Sequence, residues 1–144
     1  MQIGKTLKGQ ELRRPTPAKI LAAILYHLVK STGEREFTAD SKNIHKFVRN
    51  LSEKCSELKE YFSFTKWYPF DYSYDLDEAL STLRRARIIT IPDNPTYSKY
   101  ELDDKSERYI EQYILPELPK DLHEKIREAI HSLEETSKAL IFES

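Results

Sequence analysis

The chain is short of several residue types, and each shortage narrows what it can be. Among 144 residues there is one cysteine, Cys55. A lone cysteine excludes an internal disulfide and any multi-cysteine zinc site, and it fits a reducing, cytoplasmic setting. Only three glycines occur, too few for flexible linkers between domains. No stretch approaches the roughly 20 apolar residues of a membrane span. The longest apolar run, Ile20 to Leu25, lies in a segment that also carries His27 and Lys30. The opening Met1-Gln2-Ile3-Gly4-Lys5 has no apolar run behind its lysine, so no secretory leader is expected. Neither an internal repeat nor a low-complexity tract is present. The length suits one domain, which can bury about two thirds of its unfolded surface without covalent staples.

The net charge of −1 conceals an asymmetry. Residues 1–19 carry Lys5, Lys8, Arg13, Arg14 and Lys19 against Glu11, a balance of +4. Residues 101–144 carry 6 basic and 12 acidic side chains, a balance of −6. Contact with a polyanion is therefore expected toward the basic end, although a solvated arm and an ordinary acidic helix give the same composition.

Apolar spacing outlines the elements. Thr16-Pro17 reads as a helix start, with proline at the first helical position and Gly33 as the C-cap. The expected buried face is Ile20, Leu21, Ile24, Leu25, Leu28 and Val29. Glu36-Phe37-Thr38 reads as a short extended link. A second helix, capped by Asp40 or Ser41, places Ile44, Phe47, Val48, Leu51, Cys55 and Leu58 inward. In 61–74, eight of fourteen residues are aromatic, and Pro69 forbids a regular helix through them. This stretch reads as an extended connection. Asp75 to Glu78 reads as a capping box for a third helix that runs to about Arg87, with Leu76, Ala79, Leu80 and Leu83 inward. Ile88 to Ile91 and Tyr97 to Leu102 read as two strands of a hairpin around the turn Pro92-Asp93-Asn94-Pro95. A fourth helix starts at Asp103 or Asp104 with Ile110 and Ile114 inward. After Pro116 and Pro119, a fifth begins near Asp121, with Leu122, Ile126, Ala129, Ile130, Leu133 and Leu140 as its apolar residues.

Helix, link, helix, helix, strand, turn, strand, helix is the order of a winged helix-turn-helix domain. Leu80 and Leu83 of the third helix, the pair Ile88-Ile89 beyond it and the helix start after Leu102 resemble winged-helix regulators of the MarR and PadR type over about residues 16–114. The expected fold is mainly α: a winged helix, with a small β-hairpin wing and two additional C-terminal helices. The expected organisation is a basic arm over 1–15, the winged-helix domain over 16–114 and a C-terminal dimerisation helix over 115–144. The long aromatic connection departs from that pattern, in which only a few residues separate the second and third helices.

Such a domain sets its third helix in the major groove and its wing against phosphates or the minor groove. The resemblance therefore implies duplex DNA as partner, bound by a homodimer that regulates transcription. The residues expected in contact are Arg84, Arg85, Arg87 and Lys99, with Lys42, Lys46 and Arg49 as a second set. Cations at a helix C-terminus also suit the helix dipole without any ligand. Asp75, Asp77 and Glu78 at the helix start would repel phosphates. The alternative is a protein-interaction module, an adaptor or antitoxin-like inhibitor, using the aromatic segment 61–74. Stacking on nucleic acid bases and plain core packing are further readings of those rings.

Catalytic signals are weak. Gly4-Lys5-Thr6 lacks the upstream glycine of a phosphate loop, and His27, His45, His123 and His131 form no ligand pair. Pro92-Asp93 with Glu101 lacks the lysine of a nuclease motif. His27 is expected to be a satisfied core histidine and Cys55 a buried, inert thiol. No enzyme activity, cofactor, metal site or membrane association is expected.

Overall fold

A computed structural model describes residues 15–66, 69–91 and 99–142. The described residues are mainly helical, with one small two-stranded antiparallel sheet. Helix α1 spans Pro17–Thr32. Thr16 caps it by accepting the Lys19 amide, and Gly33 ends it in the left-handed conformation at φ 78°. Every residue from Ile20 to Val29 is buried, not only the one face expected from spacing. Ala22, Ala23, Tyr26 and His27 are covered as well because α1 is the central helix, packed by partners on several sides. A helix that is buried all round loses the one-sided pattern on which a sequence reading depends.

Strand β1 is Glu36–Thr38, so the expected link is a strand. Helix α2, Ser41–Lys54, is capped by the Asp40 carboxylate and ends before Cys55. A short 3-10 turn, Ser56–Glu60, carries Leu58 into the core where the sequence suggested a continuing α-helix. The connection then folds back on itself through an antiparallel bridge between Thr65 and Tyr72.

Helix α3, Tyr74–Arg85, begins two residues earlier than expected. Its cap is Ser73, whose side chain accepts the Leu76 amide, and not Asp75. It ends at Arg85 because Arg87 adopts φ 60°. The Ile88 amide then reaches the Leu83 carbonyl and the Arg87 amide the Arg84 carbonyl. Those two bonds form a Schellman closure, with arginine at the position where glycine is usual.

The closure shortens the expected hairpin to one bridge among the described residues. The amides of Ile88 and Ile89 are occupied by Leu83, and among the described residues only Thr90 pairs with the later strand, through a two-way bridge to Glu101. Strand β2, Lys99–Glu101, also pairs with β1, in the register Glu36 to Glu101, Phe37 to Tyr100 and Thr38 to Lys99. The expected turn at 92–95, with Tyr97 and Ser98, lies outside the described residues, as does the basic arm at 1–14.

Helix α4, Asp104–Tyr109, is capped by Asp103 and widens into a π-turn over Ile110–Ile114, with Ile110 and Ile114 inward as expected. Helix α5, Lys120–Ser132, follows Pro119, and a short α6, Glu134–Ser137, leads to a last turn over Lys138–Phe142. Leu122, Ile126, Ala129 and Ile130 of α5 belong to the same core as α1. These four residues of the stripe expected to pair two chains are thus covered within one, while Leu133 and Leu140 are half-buried. Among the described residues, no helix is long and apolar enough to cross a membrane.

Candidate nucleic-acid interface

Two regions hold the residues singled out by sequence. At the end of α3, Ser81, Arg84, Arg85, Arg87, Ile89, Thr90 and Ile91 line an open groove of about 490 Å³. Among the described residues no carboxylate lines it. Arg84, Arg85 and Arg87 are exposed and form no ion pair among the described residues. Arg84 rests its guanidinium 5.8 Å from the centre of the Tyr100 ring, which fixes the arginine's stem against β2. That contact crosses from helix to strand and could not be read from residue spacing. Lys99 is half-buried beside Tyr100 and is not among the groove's lining residues. Strand alternation sends its side chain to the other face of the ribbon from Tyr100.

The second set divides. Lys42 and Lys46 are exposed and unpaired among the described residues, but Arg49 is held by Asp71 at 2.5 Å and by Glu53 at 2.7 Å. Arg49 therefore works as an internal tie between α2 and the aromatic connection. In turn it holds the Asp71 and Glu53 carboxyls below the usual carboxylate range.

The acidic start of α3 is partly absorbed by the fold. Asp75 accepts the Ser63 amide at 3.1 Å, and Asp77 accepts the Tyr72 hydroxyl at 2.5 Å. The Asp77 bond, with burial, pushes the Tyr72 hydroxyl up to about 12. The Glu78 carboxylate is exposed and has no partner among the described residues.

Most of the aromatic segment turns inward. Tyr72 stacks on the fully buried His45 at 5.0 Å, with Phe70 at 5.4 Å and Phe64 at 6.5 Å around the same ring. The two His45 ring nitrogens face the carbonyl oxygens of Ser41, at 2.8 Å, and Ser73, at 3.2 Å. This arrangement seats the start of α3 on α2. Of the expected aromatic patch, Tyr74 alone among the described rings is largely exposed, at 66%, while Trp67 and Tyr68 lie outside the described residues. The other exposed large apolar side chains are Ile91, Tyr109 and Tyr113, which sequence reasoning passed over.

His27 departs from expectation. It is buried, but its Nε2 has no partner, and neither does Nε2 of His123 on α5, whose ring lies 4.8 Å away. Burial first, then the neighbouring His123 and Arg127, lowers the His27 imidazole to about 4. Cys55 is buried, and burial with the nearby Glu57 raises its thiol. No cluster of three metal-ligating side chains occurs among the described residues.

No protein-family model, curated protein or solved structure matches this chain.

Proposed function

We propose that this chain is a winged-helix protein that binds duplex DNA through the end of α3, and that it serves as a transcriptional regulator. The observation that carries the reading is the groove edged by three arginines, Arg84, Arg85 and Arg87, which has no carboxylate in its lining and no ion pair to them among the described residues. Unpaired guanidinium groups concentrated in one concavity attract phosphate, and their planar forks suit its oxygens. The order α1, β1, α2, α3, β2, α4, with β1 laid against β2, supports a winged-helix arrangement. Arg87 adds a second argument. Its left-handed backbone costs the fold about 1 kcal/mol that glycine would avoid. A strained arginine beside two relaxed ones suits a residue kept for its side chain.

Fluorescence anisotropy on a labelled duplex at two salt concentrations tests the reading. Each phosphate neutralised contributes roughly −0.9 to the log–log salt slope. Replacing Arg84 and Arg85 together by alanine should weaken binding and flatten the slope by up to about 1.8. Equal affinity and slope in wild type and double variant would remove α3 from the interface.

A protein-interaction module is the second reading. It rests on Tyr109 and Tyr113, whose rings lie 5.1 Å apart and are 47% and 58% exposed, instead of on segment 61–74. Absence of duplex binding at low salt, with a partner lost on Tyr109→Ala and Tyr113→Ala, would favour it.

A further inference from the structure

Of the three carboxylates at the start of α3, two are committed to the fold. Asp75 accepts the Ser63 amide, and Asp77 accepts the Tyr72 hydroxyl while its other oxygen faces His45 at 3.8 Å. The Glu78 carboxylate is exposed and makes no hydrogen bond or ion pair among the described residues. Helical spacing puts Tyr74, Glu78, Thr82 and Arg85 on one outward stripe, and all four are exposed. The Thr82 hydroxyl is occupied, since it donates to the Glu78 carbonyl at 2.9 Å. Glu78 is therefore the one carboxylate on the stripe, about two helical turns ahead of the arginines.

In a helix-turn-helix the start of the recognition helix meets the base edges, so a helix whose last residues, Arg84 and Arg85, reach phosphates presents the first part of this stripe, Tyr74 and Glu78, to the bases. A carboxylate there can only accept. Guanine presents two acceptors in the major groove, adenine an acceptor beside its donor, and cytosine the N4 amino donor. We propose that Glu78 is a specificity-determining residue that selects cytosine at one position of the duplex through that amino group, while the arginines supply affinity. The inference rests on the DNA reading above. It also gives a reason for a free carboxylate in a phosphate-facing surface. Away from the right base, its charge weakens binding and so widens the gap between correct and incorrect sites.

The experiment is selection from a randomised duplex pool by the wild type and by Glu78→Ala, followed by competition anisotropy on the selected duplex and on the same duplex with one C·G pair changed to T·A. For the wild type, the change should cost roughly 5- to 150-fold in affinity. Glu78→Ala should bind both duplexes equally, keep the preferences at other positions and bind unselected duplex more tightly than the wild type. Because Glu78 is exposed, the variant should keep the wild-type circular dichroism and melting temperature. If the variant keeps the cytosine preference, Glu78 reads no base and the DNA reading stands. Salt-sensitive binding with no sequence enriched also overturns the inference. No duplex binding by the wild type at low salt overturns the DNA reading itself, and Glu78 with it.

Discussion

Acidification should unfold this protein earlier than its carboxylates alone require, and His27 is the reason. The imidazole sits on the central helix at 8% exposure, faces the His123 ring at 4.8 Å and has a buried, unpartnered Nε2. A proton added there finds neither water nor an acceptor and meets a second imidazole and Arg127, which is why the folded-state value falls to about 4 from an ordinary 6.5. The folded value lies below the unfolded one, so the sign is fixed. Above about pH 6.5 both states are neutral and the full stability is present. As pH falls from there toward 4, the unfolded chain takes up a proton and the folded chain does not. Stability then drains at roughly 1.4 kcal/mol per pH unit, in total about 3 kcal/mol. Against the 5–15 kcal/mol of a typical domain, that is a large fraction (~3 of ~10).

The assay is urea unfolding followed by circular dichroism, from about pH 7 to about pH 4, on the wild type and on His27→Leu, an apolar side chain that binds no proton. Glu53, Glu57, Asp71 and Glu124 are held below the usual carboxylate range by Arg49, Lys125, Arg49 and Arg127 respectively. Glu53, Glu57 and Asp71 titrate alike in both proteins, so their contributions cancel in the comparison, whereas Glu124 also faces His27 and belongs to the difference being measured. The wild type should lose about 3 kcal/mol more than the variant over that range. Parallel losses in the two proteins would refute the argument, because they would mean that His27 protonates as readily folded as unfolded.

Three further outcomes are expected. Arg87→Gly relieves the φ 60° backbone, so it should melt at or above the wild-type temperature, by up to about 1 kcal/mol, while binding duplex more weakly. A clear drop in melting temperature would show that the arginine stem packs usefully. Ser73→Ala removes the buried cap of α3 and should cost about 1 kcal/mol, more than Asp75→Ala, and the reverse order in chemical denaturation would restore the capping box first expected at Asp75. The Cys55 thiol should react with a disulfide reagent only in denaturant, since it is buried and its thiolate is disfavoured; prompt labelling of the native protein would contradict its packing.

Local chemistry was enough to determine much of this chain. Thr16, Pro17 and Gly33 delimit α1 because a hydroxyl acceptor, a missing amide and a left-handed residue are needed at those helix ends whatever surrounds them. Asp40 and Asp103 start α2 and α4 for the same reason. The inward residues of α2, α3 and α5 were legible from spacing because each helix buries one face. The arginines of α3 were legible as a candidate site because three cations within four positions stand out in any window.

Tertiary structure decided whatever depends on partners distant in the chain. How far 88–91 pairs with 99–101, beside the pairing of 36–38 with the same strand, turns on which amides are still free. The closure at Arg87 uses those of Ile88 and Ile89. The full burial of α1 depends on neighbours that its own period does not encode. The freedom of Arg84 and Arg85, against the capture of Arg49 by Asp71 twenty-two residues away, is likewise set by where carboxylates land in space. Periodicity reports which side of an element avoids water, but the chain must fold before any side chain has a partner to pair with or to lack.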